Sequence, residues 1–192
     1  MALTQLASSS HTHPTTPPKT LPIWLYDVFL GILFLGPAIA PLFRATQQPV
    51  LTDLGELATS VLGSYICPTP AQAYPMAGYT MAVCARCWGA TVGLWVARAF
   101  VPAALESNDG MTHLLHRFRA LPVLMRLLLV LIPFLLWPLE IIGTAQQWWA
   151  LPPLWVLLVN GAQAGFAAGI FFMSLMPGFW QNPPAPASAQ LA

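Results

Sequence analysis

Residues 154 to 176 read Leu-Trp-Val-Leu-Leu-Val-Asn-Gly-Ala-Gln-Ala-Gly-Phe-Ala-Ala-Gly-Ile-Phe-Phe-Met-Ser-Leu-Met, a stretch with no charged side chain. At 1.5 Å rise per residue such a stretch covers the ~30 Å hydrocarbon core of a bilayer, so it is expected to form a transmembrane helix. Three earlier stretches have the same character. Residues 121–142 carry Arg126 near the start, Glu140 near the end and Pro133 and Pro138 between. The prolines should kink this span, which is tolerated where neighbouring helices cover the freed carbonyls. Residues 83–104 carry Arg86 and Arg98 near their two ends, from which long side chains can snorkel toward the interface. Residues 23–43 carry only Asp27, near the beginning.

Composition agrees with four spans. The chain has 192 residues, 57% apolar and 7% charged, and a mean hydropathy of +0.65. A soluble domain carries about 25% charged residues, and a water-facing surface cannot be built from so few. The expected fold class is an all-α membrane protein: about four transmembrane helices plus one amphipathic interfacial helix, over residues 23–180. The lipid bilayer is its first partner. The net charge is +1 and the seven basic residues form no dense run, so nucleic acid is excluded as a partner.

Residues 1–22, rich in Ser, Thr, Pro and His, read as a flexible polar tail, and residues 181–192 as a second loose tail. Ala38-Ile39-Ala40 resembles a cleavage site, but Pro41 directly behind it argues for keeping the first span as an anchor.

The least lipid-like part is residues 44–82. Leu51, Leu54, Leu57, Val61, Leu62 and Tyr65 fall at helical spacing opposite Asp53, Glu56 and Ser60, which predicts an amphipathic helix over 50–66 lying on the membrane surface. Arg117 and Arg119, bordered by Arg98 and Arg126, make the connection between the second and third spans the most basic. That connection is therefore expected to be cytoplasmic, with both termini inside and residues 44–82 outside.

This topology sets Arg86 and Glu140 at similar depth near the outer face and makes them ion-pair candidates, because a charge in hydrocarbon needs a partner. The same reasoning pairs Asp27 with Arg98 or Arg126. Asn160 and Gln163, in the outer half of the fourth span, could join Arg86, Glu140 and the Cys84/Cys87 pair around one polar pocket. Such groups either fix helix register among themselves or bind a small polar solute, ion or proton.

The three cysteines, Cys67, Cys84 and Cys87, all fall near this region. Cys84-Ala85-Arg86-Cys87 has the spacing of zinc and of dithiol redox sites, so metal binding, a disulfide and buried structural thiols all stay open. His113 and His116 belong to the basic connection and His11 and His13 to the N-terminal tail, which leaves water or Glu140 as fourth ligand of a zinc ion. No histidine lies in a span to hold haem. Gly89-x-x-x-Gly93 and Gly165-x-x-x-Gly169 mark faces for close helix packing. The chain has no Walker loop, dinucleotide fingerprint, H-E-x-x-H or G-x-S-x-G, so ATP-driven or hydrolytic chemistry is not expected.

Val83-Cys84-Ala85-Arg86-Cys87-Trp88-Gly89, preceded by Cys67, resembles a family of small bacterial membrane proteins catalogued as domain of unknown function twenty eighty-five. Pro138-Leu139-Glu140 with Gly143 and Gln146, and Asn160 through Gly169, extend the resemblance over about residues 60–170. It implies a common fold in a bacterial cytoplasmic membrane and no particular reaction. The family usually has Cys-His where this chain has Cys67-Pro68, and that change removes one potential metal ligand. The leading expectation is a packing or accessory subunit of a larger membrane assembly, respiratory or photosynthetic. The competing one is a small transport or thiol/metal protein built on Cys67, Cys84, Arg86, Cys87 and Glu140.

Overall fold

A computed structural model describes residues 22–67, 69–107 and 110–180. Apart from Pro22, the two tails expected at 1–22 and 181–192 lie outside the described residues. The helices are α1 (Ile23–Ala45), α2 (Pro49–Tyr65), α3 (Ala85–Glu106), α4 (Gly110–Ala120), α5 (Val123–Phe134), α6 (Leu136–Ala145) and α7 (Leu154–Leu175). The only sheet among the described residues is a two-stranded antiparallel hairpin, β1 (Pro75–Met76) with β2 (Tyr79–Thr80). Among the described residues four helical units are long and apolar enough to cross a membrane: α1, α3, α5 with α6, and α7. The chain is thus an all-α multi-pass membrane protein.

The centre of the bundle is α3 against α7. A Cβ added to Gly89 would overlap the Leu158 carbonyl, one on Gly93 the Ala162 carbonyl, one on Gly161 the Arg86 carbonyl and one on Gly165 the Ala90 carbonyl. Gly169 faces the Ala97 methyl. Every expected glycine is therefore spent inside the chain, where it lets the two backbones touch. Below this seam Val101, Ala104, Leu115, Met173, Phe179 and Trp180 form a buried cluster that ties α4 and the 3-10 turn Pro177–Trp180 to the bundle.

The third span is two helices meeting at Leu135. Pro133 and Pro138 have no N–H to give to the carbonyls of Leu129 and Phe134, and the ladder is interrupted there. This α5–α6 unit is only 6% buried, against 33% for α3 and for α7.

α2 forms where the sequence predicts an amphipathic helix, and it meets α1 through a glycine. Gly55 is buried on α1, with room for no Cβ between the Ala40 carbonyl and Arg44. Leu54, Leu57, Val61 and Tyr65 point away from the protein. Close backbone approach at one glycine has outweighed the larger side chains, which lipid can cover at no cost.

Candidate functional site

Met81 to Arg86 is a continuously buried stretch, and only from Ala85 is it helical. Non-helical backbone at membrane depth must have its polar groups satisfied by protein. Pro41 provides one partner: it lacks the N–H that would bond the Pro37 carbonyl, and the Ala82 N–H donates to that carbonyl at 3.2 Å. Met81 N–H donates to the Tyr74 carbonyl at 2.9 Å, and the Trp88 indole N–H to the Phe34 carbonyl at 3.3 Å. The start of α3 therefore lies level with the middle of α1, recessed roughly 10 Å, or two helical turns, below the C-terminal end of that helix.

At this depth the three cysteines converge. Their Sγ atoms lie within 4.8 Å of one another, and no histidine or carboxylate joins them among the described residues. The Cys84 N–H donates to Cys67 Sγ at 3.1 Å, and the sulfurs of Cys84 and Cys87 are 3.5 Å apart. All three thiols are free. Leu62, Val83 and Trp88 wall the cluster, with Trp88 stacked on Phe34. The Cys67 thiol, outside the spanning helices, is raised above its ordinary value. Its bond to the Cys84 side chain is the main cause and burial adds to it, against the opposing bond to Cys87. A metal ion binding there must displace that proton.

Beside the thiols lies the ion pair. Arg86 is 1% exposed, and its Nε and Nη2 donate to the two carboxylate oxygens of Glu140, the second at 2.7 Å. Its Nη1 donates to Thr69 Oγ1 at 2.9 Å and to Gln72 Oε1 at 2.5 Å, while Thr144 Oγ1 donates to Glu140 at 3.1 Å. The bidentate pair fixes α3 to α6, and the bonds from Nη1 fix the segment before β1 to α3. Glu140, held this way, does not reach the thiol cluster, so the carboxylate suggested as fourth ligand is not one. Asp27 accepts from Arg98, at 2.7 and 3.1 Å. Arg126 instead donates to Ser174, to its carbonyl and its Oγ, each at 3.0 Å.

The single polar pocket expected from sequence is two neighbouring sites. Asn160 and Gln163 line a groove of ≈ 370 Å³ between α6 and α7 together with Glu140, Trp149, Val156 and Leu139. Arg86 and the cysteines do not line it, because Gly161 seats the α7 backbone directly on Arg86. Sequence reasoning missed Thr69 and Gln72, whose role depends on the path of an irregular segment. It also missed Gly161, which a third step of the Gly165/Gly169 spacing would have found.

The model of the family described as "Predicted membrane protein (DUF2085)" matches residues 67–171, from the first cysteine into the last span. No curated protein and no solved structure matches the chain.

Proposed function

The chain belongs to this family of membrane proteins, and we propose that it is a multi-pass protein of a bacterial cytoplasmic membrane that holds a thiophilic metal ion on Cys67, Cys84 and Cys87. One observation carries the reading: every cysteine of the chain, brought from two separate segments, lies within 4.8 Å of the others in sulfur position. Zinc–thiolate bonds of about 2.3 Å set sulfurs roughly 3.8 Å apart in a tetrahedron, so the cluster closes on an ion by moving less than about 1 Å. Thiolates without imidazole suit Zn²⁺ or Cu⁺, and Zn²⁺ is the candidate that the sequence already raised. Cys87 is partly exposed, which leaves the fourth position to water. The ion would staple the segment before β1 to the start of α3 and keep three thiols reduced.

In this reading the end of the bundle that carries Arg117 and Arg119 on α4 is the cytoplasmic one, with both termini, because short basic connections stay inside. The thiol cluster then faces outward. Purification in mild detergent tests the reading: one zinc per chain is expected, lost in Cys67→Ser and Cys87→Ser. Metal-free protein with three titratable thiols would sink it.

A second reading, a dithiol–disulfide couple, draws on the 3.5 Å between Cys84 and Cys87 sulfurs at a helix start. It predicts two thiols that disappear reversibly on oxidation and no metal. The accessory-subunit reading keeps only the apolar exterior in its favour, since its two glycine faces are occupied within the chain. A partner that stays with the protein through the same purification would support it.

A further inference from the structure

We propose that the crevice between the α5–α6 unit and α7 is a binding site for an uncharged, single-chain lipid with a hydrogen-bonding head. This goes beyond the thiol site and does not depend on it. The groove beside Glu140 continues past Gln163 into a second cavity of ≈ 350 Å³, lined by Phe118, Leu129, Pro133, Ala167 and Ile170. Gln163 lines both. From Val156 to Ile170 the combined crevice runs roughly 20 Å along α7 at 1.5 Å per residue, the length of an extended acyl or prenyl chain.

The division of polarity along it says what fits. The outer part holds Glu140, Asn160 and Gln163, and the inner part is apolar except for Gln163. Gln163 is exposed in the outer half of a spanning helix, where hydrocarbon offers an amide no hydrogen bond. Among the described residues the Glu140 carboxylate is satisfied by Arg86 and Thr144, whereas neither the Asn160 nor the Gln163 side chain makes a hydrogen bond. A hydroxyl or carbonyl head would supply these amides with partners. Because Arg86 already neutralises Glu140 and no other charged side chain lines the crevice, a charged head would enter uncompensated. The slight burial of α5–α6 leaves the crevice open to the bilayer, so its occupant enters from the lipid phase.

A control is built into the molecule. A groove of ≈ 430 Å³ between α1 and α3, lined by Gly31, Phe34, Leu35, Val92, Trp95 and Val96, has no polar side chain apart from the Trp95 indole and should take any lipid tail.

The test reconstitutes the full chain in phosphatidylcholine nanodiscs with a diazirine-tailed monoacylglycerol or, separately, a diazirine-tailed lysophosphatidylglycerol of equal chain length. After irradiation, peptides of α5–α7 should carry the neutral probe at least fivefold more than the anionic one, and peptides around Trp95 should carry both equally. Gln163→Leu should cut the α5–α7 labelling about fivefold, the loss of one hydrogen bond. Ala167→Trp, which plugs the inner cavity, should abolish it. Gln163 is exposed, so its replacement leaves packing intact and decides the matter even where Ala167→Trp fails to accumulate. Equal labelling by both probes, or labelling unchanged in Gln163→Leu, overturns the proposal. So does an efficient Gln163→Cys cross-link between two chains, which would show that a second copy fills the crevice.

Discussion

The α3–α7 pair and the α5–α6 unit cross the same hydrocarbon, yet they are held by different physics. Along α3 and α7 the glycines remove side chains from the seam, so backbone meets backbone and dispersion acts over the whole length. The α5–α6 unit buries almost nothing. It is tethered by one polar contact near each end: Arg126 to Ser174 at the start of α5, and Glu140 to Arg86 in α6. Between the tethers lies the crevice. Lipid tails are as apolar as leucine, so an oily helix gains nothing by packing merely to escape solvent. Such a helix stays in place only through close shape fit or through polar groups that lipid cannot satisfy, and this chain uses one device for each region.

The largest expected effect breaks a tether. Glu140→Ala leaves a fully buried guanidinium without its counter-ion and should cost about 3–5 kcal/mol, read as the loss of folded protein in detergent unfolding. Combining Arg86→Gln with Glu140→Gln should cost less than the two singles together, by at least about 1 kcal/mol. Strict additivity would mean that the tether is geometric coincidence.

Next comes the seam. Gly161→Ala places a methyl on the Arg86 carbonyl, backbone that cannot rotate away, and should cost about 1–3 kcal/mol by the same assay. It would also shift Arg86, so a disturbed thiol cluster, seen as faster Cys87 alkylation, is expected with it. Wild-type stability in this variant would show that α3 and α7 are less closely packed than the glycines require.

The smallest effect sharpens the contrast. The Asp27–Arg98 pair is 35% and 24% exposed, and Asp27→Asn should cost under about 1 kcal/mol. A loss as large as that of Glu140→Ala would mean that burial does not separate the two ion pairs.

Much of this was legible in the residues. Runs of ~20 apolar side chains fix the number of spans regardless of how they pack, because the length of a helix and the thickness of a bilayer are set independently of tertiary contacts. The pairing of Arg86 with Glu140 was legible too, from topology and the cost of a lone charge. The helix of α2 was legible from its spacing, but its contact with α1 at Gly55 was not, because in lipid an exposed leucine carries no penalty and amphipathic spacing does not say which side meets protein.

The sequence alone settled what must be immersed in hydrocarbon and which charges need company there. Only the tertiary structure decided that Cys67 closes on Cys84 and Cys87, that Thr69 and Gln72 complete the shell of Arg86, and that Asn160 and Gln163 face a separate crevice. These outcomes depend on the recess of α3 beside α1 and on the path of an irregular segment. Both are set by backbone hydrogen bonds, such as Ala82 to the carbonyl that Pro41 leaves free, and a pattern of side chains does not record them.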